Sequence, residues 1–119
     1  MTKRPSLTYE KALKEDKKAV ICKLKGKLIG GHETYDFLED TRGEISDGMT
    51  HVILDLTGLS LVNSTGVGIL AALFTSTRNK DGRLIIVGVD DNLKRILEVV
   101  HIWSMLEPAG SVEEALAAL

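Results

Sequence analysis

The side chains best placed to do chemistry in this sequence are three neighbours, Asn63, Ser64 and Thr65. They precede Gly66 and Gly68, which open a segment with helical spacing. A hydroxyl at a helix start can cap the helix by accepting a hydrogen bond from a nearby backbone N–H. The same place suits a phosphate, because unpaired N–H groups and the helix dipole favour an anion. We therefore expect Ser64 or Thr65 to cap the helix, and we treat Ser64 as a candidate phosphoacceptor with Thr65 as the alternative.

A phosphate at this place would work as a binding switch. It brings a charge of about −1.5 to −2 at neutral pH, onto a surface otherwise lined by Gly, Val and Leu. The fold would tolerate the anion, whereas a partner packed on that surface would be expelled. The segment predicted to contact the partner comprises Asn63, Ser64, Thr65, Gly66, Val67 and Gly68.

A second chemistry for the same glycines is nucleotide binding. The segment Gly66–Ala71 fits Gly-x-Gly-x-x-Ala, and Asp90 stands at the end of the next apolar run, where a ribose-binding acid would lie. However, Thr57–Thr65 separate the first glycine from its strand, and the chain leaves no room for a substrate domain. A small nucleotide-binding protein is therefore the less favoured alternative.

Other functions find little support in the residues. His32, His51 and His101 lack metal-ligand spacing, and the sequence has neither a Gly-x-Ser-x-Gly elbow nor a phosphate-binding Gly-x-x-x-x-Gly-Lys loop. We expect no catalysis, no cofactor and no metal. The lone Cys22 lies in an apolar run and predicts a core residue.

Composition narrows the class of protein further. The net charge of −2 with dispersed Lys and Arg argues against direct nucleic-acid binding. No apolar run reaches the roughly 18 residues of a membrane span, and the N-terminus lacks the apolar region of a secretory signal. We expect a cytoplasmic protein that does not insert into membranes.

Hydrophobic periodicity predicts strands that alternate with helices. Strands are expected at 7–13, 19–25, 51–56 and 84–89, with a short edge strand at Met105–Leu106. Helices are expected at 33–45, from Gly66 to Asn79, after Asp90–Asp91, and after Ser111, which starts a capping box with Glu114. The buried stripe of the second helix is predicted as Val67, Leu70, Ala71 and Phe74.

The resulting order, ββαβαβαβα, predicts an α/β fold with a mostly parallel mixed sheet and about four helices. The initial hairpin adds an antiparallel edge. The length predicts a single domain spanning residues 1–119, in which 1–6 form a loose tail.

The central stretch resembles the STAS domain family of bacterial anti-sigma factor antagonists and their relatives. The shared pattern is an apolar strand ending in Asp-Leu, then Asp-Ser-Ser/Thr-Gly-Leu-Gly opening a helix; here it is Val52–Leu56 followed by Asn63–Gly68. The resemblance extends from about residue 18 to 119. It implies a STAS-like mixed sheet with helices mainly on one side, and Ser64 as the phosphoacceptor. It also implies two partners, a serine kinase that doubles as anti-sigma factor and a phosphatase.

The chain departs from the family pattern at two positions. Asn63 replaces the acid before the phosphoacceptor, and Ile29 stands where an acid commonly follows Gly-x-Leu. Both are expected near Ser64, where they make the site more apolar and less repulsive to a phosphate. We expect a non-enzymatic signalling regulator, monomeric or weakly self-associating, with an unphosphorylated STAS scaffold as the alternative.

Overall fold

The computed structural model describes residues 5–119, so residues 1–4 of the expected loose tail lie outside the described residues. Within that range strands and helices follow the order ββαβαβαβα, as the sequence predicts. The strands are β1 (Leu7–Lys14), β2 (Ala19–Leu28), β3 (His51–Val62), β4 (Leu84–Val87) and β5 (Glu107–Ala109). The helices are α1 (His32–Ser46), α2 (Ser64–Arg78), α3 (Asp91–Val99) and α4 (Val112–Ala117).

The strands form one five-stranded sheet in the order β1-β2-β3-β4-β5. β1 pairs antiparallel with β2, and every other pair is parallel. The mostly parallel sheet with an antiparallel edge is therefore confirmed. Right-handed crossovers are the rule for parallel neighbours and place helices over the sheet faces.

Side chains that alternate along the strands divide the core into two layers. One layer joins the sheet to α1, α2 and α3 and includes Cys22, Phe37 and Leu54. On the other face Ile53 and Ile85 pack with Ala115 of α4. Cys22 is a core residue as expected, and burial raises the pKa of its thiol to about 12.

Two strands are longer than the sequence predicts. β2 continues past Gly26 to Leu28, and β3 continues through 57–62, which was expected to be loop. The two extensions pair with each other across register shifts. Gly26 adopts a φ of 99°, and a Cβ at this position would overlap the carbonyl oxygen of Ser6. Because glycine has no Cβ, β2 can continue past this position.

Three other expectations were wrong in detail. β4 ends at Val87, because Gly88 adopts a φ of 77° and turns the chain. The short edge strand is Glu107–Ala109, whereas Met105 closes a 3-10 turn; Pro108 is tolerated because β5 lies at the sheet edge. In α2 the buried side includes Ile69 and Leu73, whereas Ala71 and Phe74 are only half-buried.

The helices α3 and α4 begin directly after the capping residues that the sequence predicts. Asp90 caps α3 by accepting a hydrogen bond from the backbone N–H of Leu93 at 2.7 Å. Ser111 caps α4 by accepting one from Glu114, but the Glu114 carboxylate accepts from Gly110 rather than from Ser111. Within residues 5–119, no helix combines the length and hydropathy that crossing a bilayer requires.

Candidate functional site

The junction between β3 and α2 is capped by Asn63. α2 begins at Ser64, two residues before the predicted start, and the Asn63 Oδ1 accepts a hydrogen bond from the Gly66 N–H at 3.0 Å. The expectation that Ser64 or Thr65 would cap the helix was wrong, because both already have helical backbone. Asparagine is among the best N-cap residues, since its short side chain reaches the N–H three residues on.

The Asn63 side chain also joins a second loop to this helix start. Its Nδ2 donates to the carbonyl oxygen of Ile29 at 3.0 Å. Ile29 lies in the loop between β2 and α1, which is therefore held against the first turn of α2. The two positions that depart from the family pattern are thus joined by a hydrogen bond, which the sequence did not predict.

Ser64 and Thr65 differ in accessibility. Ser64 is exposed at the first helical position, whereas Thr65 is half-buried. The Thr65 Cγ2 lies 3.1 Å from the place that a Cβ would take at Gly30. The Ser64 hydroxyl is therefore the one that a modifying enzyme can reach more easily.

Gly66 and Gly68 have different surroundings. A Cβ at Gly66 would overlap the carbonyl oxygen of Leu28, so the fold needs glycine there. A Cβ at Gly68 would meet nothing within 4 Å. Gly68 is exposed, whereas Val67 between them is buried at 8% exposure. One turn after Ser64, α2 therefore presents bare backbone to solvent at Gly68.

The site is uncharged, but it lies at the positive end of a helix dipole. None of the side chains from Asn63 to Gly68 is ionisable. The first turn of α2 contains no acidic residue. Anions are favoured at such a helix start by the dipole and the unpaired N–H groups. The arrangement can therefore accommodate one added negative charge without a carboxylate in the first turn of α2 to repel it.

A cleft of about 390 Å³ lies between the extended end of β3 and α3. It exists because β4 stops at Val87 while β3 continues to Val62, which leaves the end of β3 without a strand on that side. Leu61 is 49% exposed at its wall. The residues that line the cleft are Leu56, Thr57, Leu59, Ser60, Leu61, Val62, Gly88, Val89, Asp90, Asn92, Leu93 and Ile96.

The Gly-x-Gly-x-x-Ala segment does not form a dinucleotide-binding turn. Gly66 and Gly68 lie inside α2, after its first two residues, instead of in a tight turn between strand and helix. The Asp90 carboxylate accepts from a backbone N–H as the cap of α3. Gly66 and Asp90 therefore have structural roles that involve no nucleotide, and the segment lacks the turn that a dinucleotide would need.

Sequence reasoning missed the connection between Asn63 and Ile29 and the cleft beside it. The capping preference of asparagine could have revealed the first half of the Asn63 role. The hydrogen bond to Ile29 had no local signal, because 34 positions separate the two residues. The cleft had no signal in the sequence either, because residues 57–62, which form its wall, are predicted as loop.

Comparison with known proteins finds the same architecture. A family model described as STAS domain matches residues 10–115. The anti-sigma-B factor antagonist of Listeria monocytogenes is 33% identical over 54 residues, which are 45% of this chain and 47% of that protein. The aligned segment thus spans about half the length of that curated relative.

Two solved structures show the likeness over nearly the whole chain. The anti-sigma factor antagonist SpoIIAA in its unphosphorylated form superposes with a TM-score of 0.79 at 20% identity, covering 93% of this chain and 95% of that chain. The Bacillus SpoIIAA in its phosphorylated form gives a TM-score of 0.67 at 20% identity, covering 93% and 98%. At these identities the likeness shows a shared fold.

Proposed function

The chain belongs to the STAS domain family and is anti-sigma factor antagonist-like, and we propose that it is a non-enzymatic bacterial signalling regulator acting in the cytoplasm. Its partner is an anti-sigma factor that is also a serine kinase, and it binds through Asn63–Gly68. Phosphorylation of Ser64 releases the partner, and a phosphatase restores binding. The observation that supports this best is an exposed Ser64 at an uncharged helix start, one turn from the bare backbone of Gly68.

The switch has a direct physical basis at this position. A phosphate on Ser64 adds charge at a helix N-terminus, where the dipole and unpaired N–H groups favour it. Folding is therefore little affected. The same charge must be desolvated if a partner covers the surface, which is costly unless the partner supplies a cation or donors. Binding should thus fall while the fold persists.

The first prediction is that Ser64 carries phosphate in native cells and that its charge weakens binding. Fragment-ion mass spectrometry of the tryptic peptide Gly43–Arg78, which contains Ser64 and Thr65, should place the phosphate on Ser64 and not on Thr65. Ser64→Asp should raise the Kd for the purified partner at least tenfold, about 1.4 kcal/mol. Ser64→Ala should retain affinity.

The control is Ser104→Asp, which adds the same charge at an exposed serine outside the site. It should bind like the unmodified protein. The switch would be contradicted if Ser64→Asp left the Kd for the partner unchanged and Ser64 carried no phosphate in cells. That outcome would favour the scaffold alternative, which the neutral residues Asn63 and Ile29 also suit.

A further inference from the structure

We propose that Asn63 is a positioning residue that joins the loop Ile29–Gly31 to the first turn of α2, making both parts one docking surface. The surface is wider than the Asn63–Gly68 segment, and it offers a folded protein partner glycine backbone and uncharged side chains. The partner meant here is the one of the proposed function, so this part of the inference depends on it.

The side-chain amide of Asn63 uses both of its ends. Its Oδ1 accepts from the Gly66 N–H, and its Nδ2 donates to the Ile29 carbonyl, each at 3.0 Å. An ionised carboxylate could accept the first hydrogen bond but has no donor for the second. The negative carboxylate oxygen would also be repelled by the partial negative charge of the Ile29 carbonyl oxygen. The site is therefore built for the amide and does not suit the acid of the family pattern.

Packing around the loop agrees with this role. Gly30 adopts a φ of 91°, and Thr65 lies directly against it. The Thr34 hydroxyl donates to the Gly30 carbonyl at 3.2 Å, which fixes the loop from the side of α1. The Asn63 N–H approaches the Leu28 carbonyl at 3.4 Å. The loop is consequently attached to two helix starts, and Asn63 supplies the side-chain link to α2.

The combined surface has one chemical character. Gly31, Asn63, Ser64 and Gly68 are exposed, and Ile29, Gly30 and Thr65 are half-exposed. None of these side chains is ionisable. These residues therefore offer a partner no charged side chain, although the Glu33 Oε2 lies 3.9 Å from the place that a Cβ would take at Gly31. A phosphate on Ser64 would add a charge that a partner covering the surface must desolvate.

The second prediction concerns the positioning role, which nuclear magnetic resonance on the isolated protein tests. We expect backbone order parameters of Gly30 and Gly31 near the rigid value of about 0.85, falling toward about 0.6 in Asn63→Ser and Asn63→Asp. Both variants keep an acceptor for the Gly66 N–H, so α2 stays capped. Asn79→Asp, at the other end of α2, is the matched charge control and should leave the loop rigid.

Unchanged order parameters in both Asn63 variants would overturn the positioning role. So would an equal loss of order throughout the chain, because that pattern means general destabilisation. Measuring the unfolding midpoint of each variant in urea separates these cases. This result needs no partner and decides the role of Asn63 even if the proposed function fails.

Binding to the purified partner tests the extent and chemistry of the surface. We expect Asn63→Ser to raise the Kd at least fivefold and Asn63→Asp to raise it further, while Asn79→Asp has no effect. For the unmodified protein, the Kd should change less than about threefold between roughly 0.05 and 0.5 M salt. A mobile loop with unchanged Kd would remove the loop from the docking surface, and a larger salt effect would overturn its uncharged character. Failure to obtain any partner would count against the proposed function alone.

Discussion

The two glycines near the start of α2 differ in whether the fold has room for a side chain at their position. Gly66 lies against the carbonyl oxygen of Leu28, so its missing side chain lets α2 approach the end of β2. Gly68 faces open space, so the fold gains nothing from it. Glycine inside a helix costs roughly 0.5–1 kcal/mol relative to alanine. The proposed function gives this glycine a reason, because a missing side chain one turn from Ser64 leaves the backbone open to the proposed partner.

The third prediction concerns this difference. Gly68→Ala should increase the free energy of unfolding by about 0.5–1 kcal/mol and still weaken partner binding. Gly66→Ala should decrease the free energy of unfolding by about 1–3 kcal/mol, because a Cβ overlaps backbone there. Urea denaturation measures both changes.

The matched control is Gly43→Ala in α1, where a Cβ also meets nothing within 4 Å. It should stabilise the protein to a similar degree without affecting binding. If Gly68→Ala and Gly43→Ala bind the partner equally well, Gly68 does not contact it.

The site residues show how far local sequence reasoning reaches. The segment Asn63–Gly68 could be singled out because capping residues and helix-start glycines are local patterns. The residue that caps the helix was misassigned, since Asn63, Ser64 and Thr65 all suit the position. The attachment to Ile29 depends on how β2 and β3 pair, which no window of neighbouring residues contains.

Among the elements, the extension of β3 illustrates a strand that tertiary pairing creates. Residues 57–62 are mostly exposed on both sides, so they lack the alternation by which a half-buried strand is recognised. Their partners are Lys25–Leu28, on a strand that the sequence predicted to end earlier. β4 and α1 could be predicted because burial leaves its pattern in the sequence, as a continuous apolar run in β4 and as helical spacing in α1.

The short helix α4 depends on one arginine as well as on packing. The Arg83 Nη1 donates to the Ala118 carbonyl at 2.6 Å, and its Nε donates to the Glu107 carboxylate at 2.9 Å. This hydrogen bonding lowers the pKa of Glu107 below its ordinary value. One side chain thus connects β4, β5 and the end of α4.

The fourth prediction is that Arg83→Lys loosens α4 although it keeps the charge. Lysine lacks the planar fork that contacts two acceptors at once. We expect faster hydrogen exchange at the Ala118 amide, which donates to Glu114, and a loss of about 1 kcal/mol in the free energy of unfolding. Arg95→Lys, on the exposed side of α3, should change neither. Unchanged exchange in Arg83→Lys would show that packing alone holds α4.

For the molecule as a whole, His51 makes stability depend on pH. Its Nδ1 accepts the backbone N–H of Arg83 at 3.0 Å, which requires that nitrogen to be unprotonated. Burial, followed by the charge of Arg83, lowers the pKa of His51 below its ordinary value of 6.5. The unfolded chain therefore binds a proton before the folded chain does, and stability falls as the pH drops below about 6.5.

The fifth prediction is a lower unfolding midpoint in urea at pH 5.5 than at pH 7. The range from pH 5.5 to pH 7 lies above the range in which Glu107 titrates, since the pKa of Glu107 is lowered from 4.5. His51→Gln should remove most of this pH dependence, whereas His101→Gln, at an exposed position, should retain it. If the unfolding midpoint of His51→Gln falls between pH 7 and pH 5.5 as much as that of the unmodified protein, groups other than His51 cause the pH dependence.

The strand order has a consequence for how the chain acquires its structure. Every strand lies beside its neighbour in sequence, from β1 to β5. A nascent chain can therefore add each strand to an existing edge as it leaves the ribosome, without waiting for a later segment to fill a gap. The proposed docking surface at Asn63 depends on β2, α1, β3 and the start of α2, so it can assemble before the C-terminal third has been synthesised.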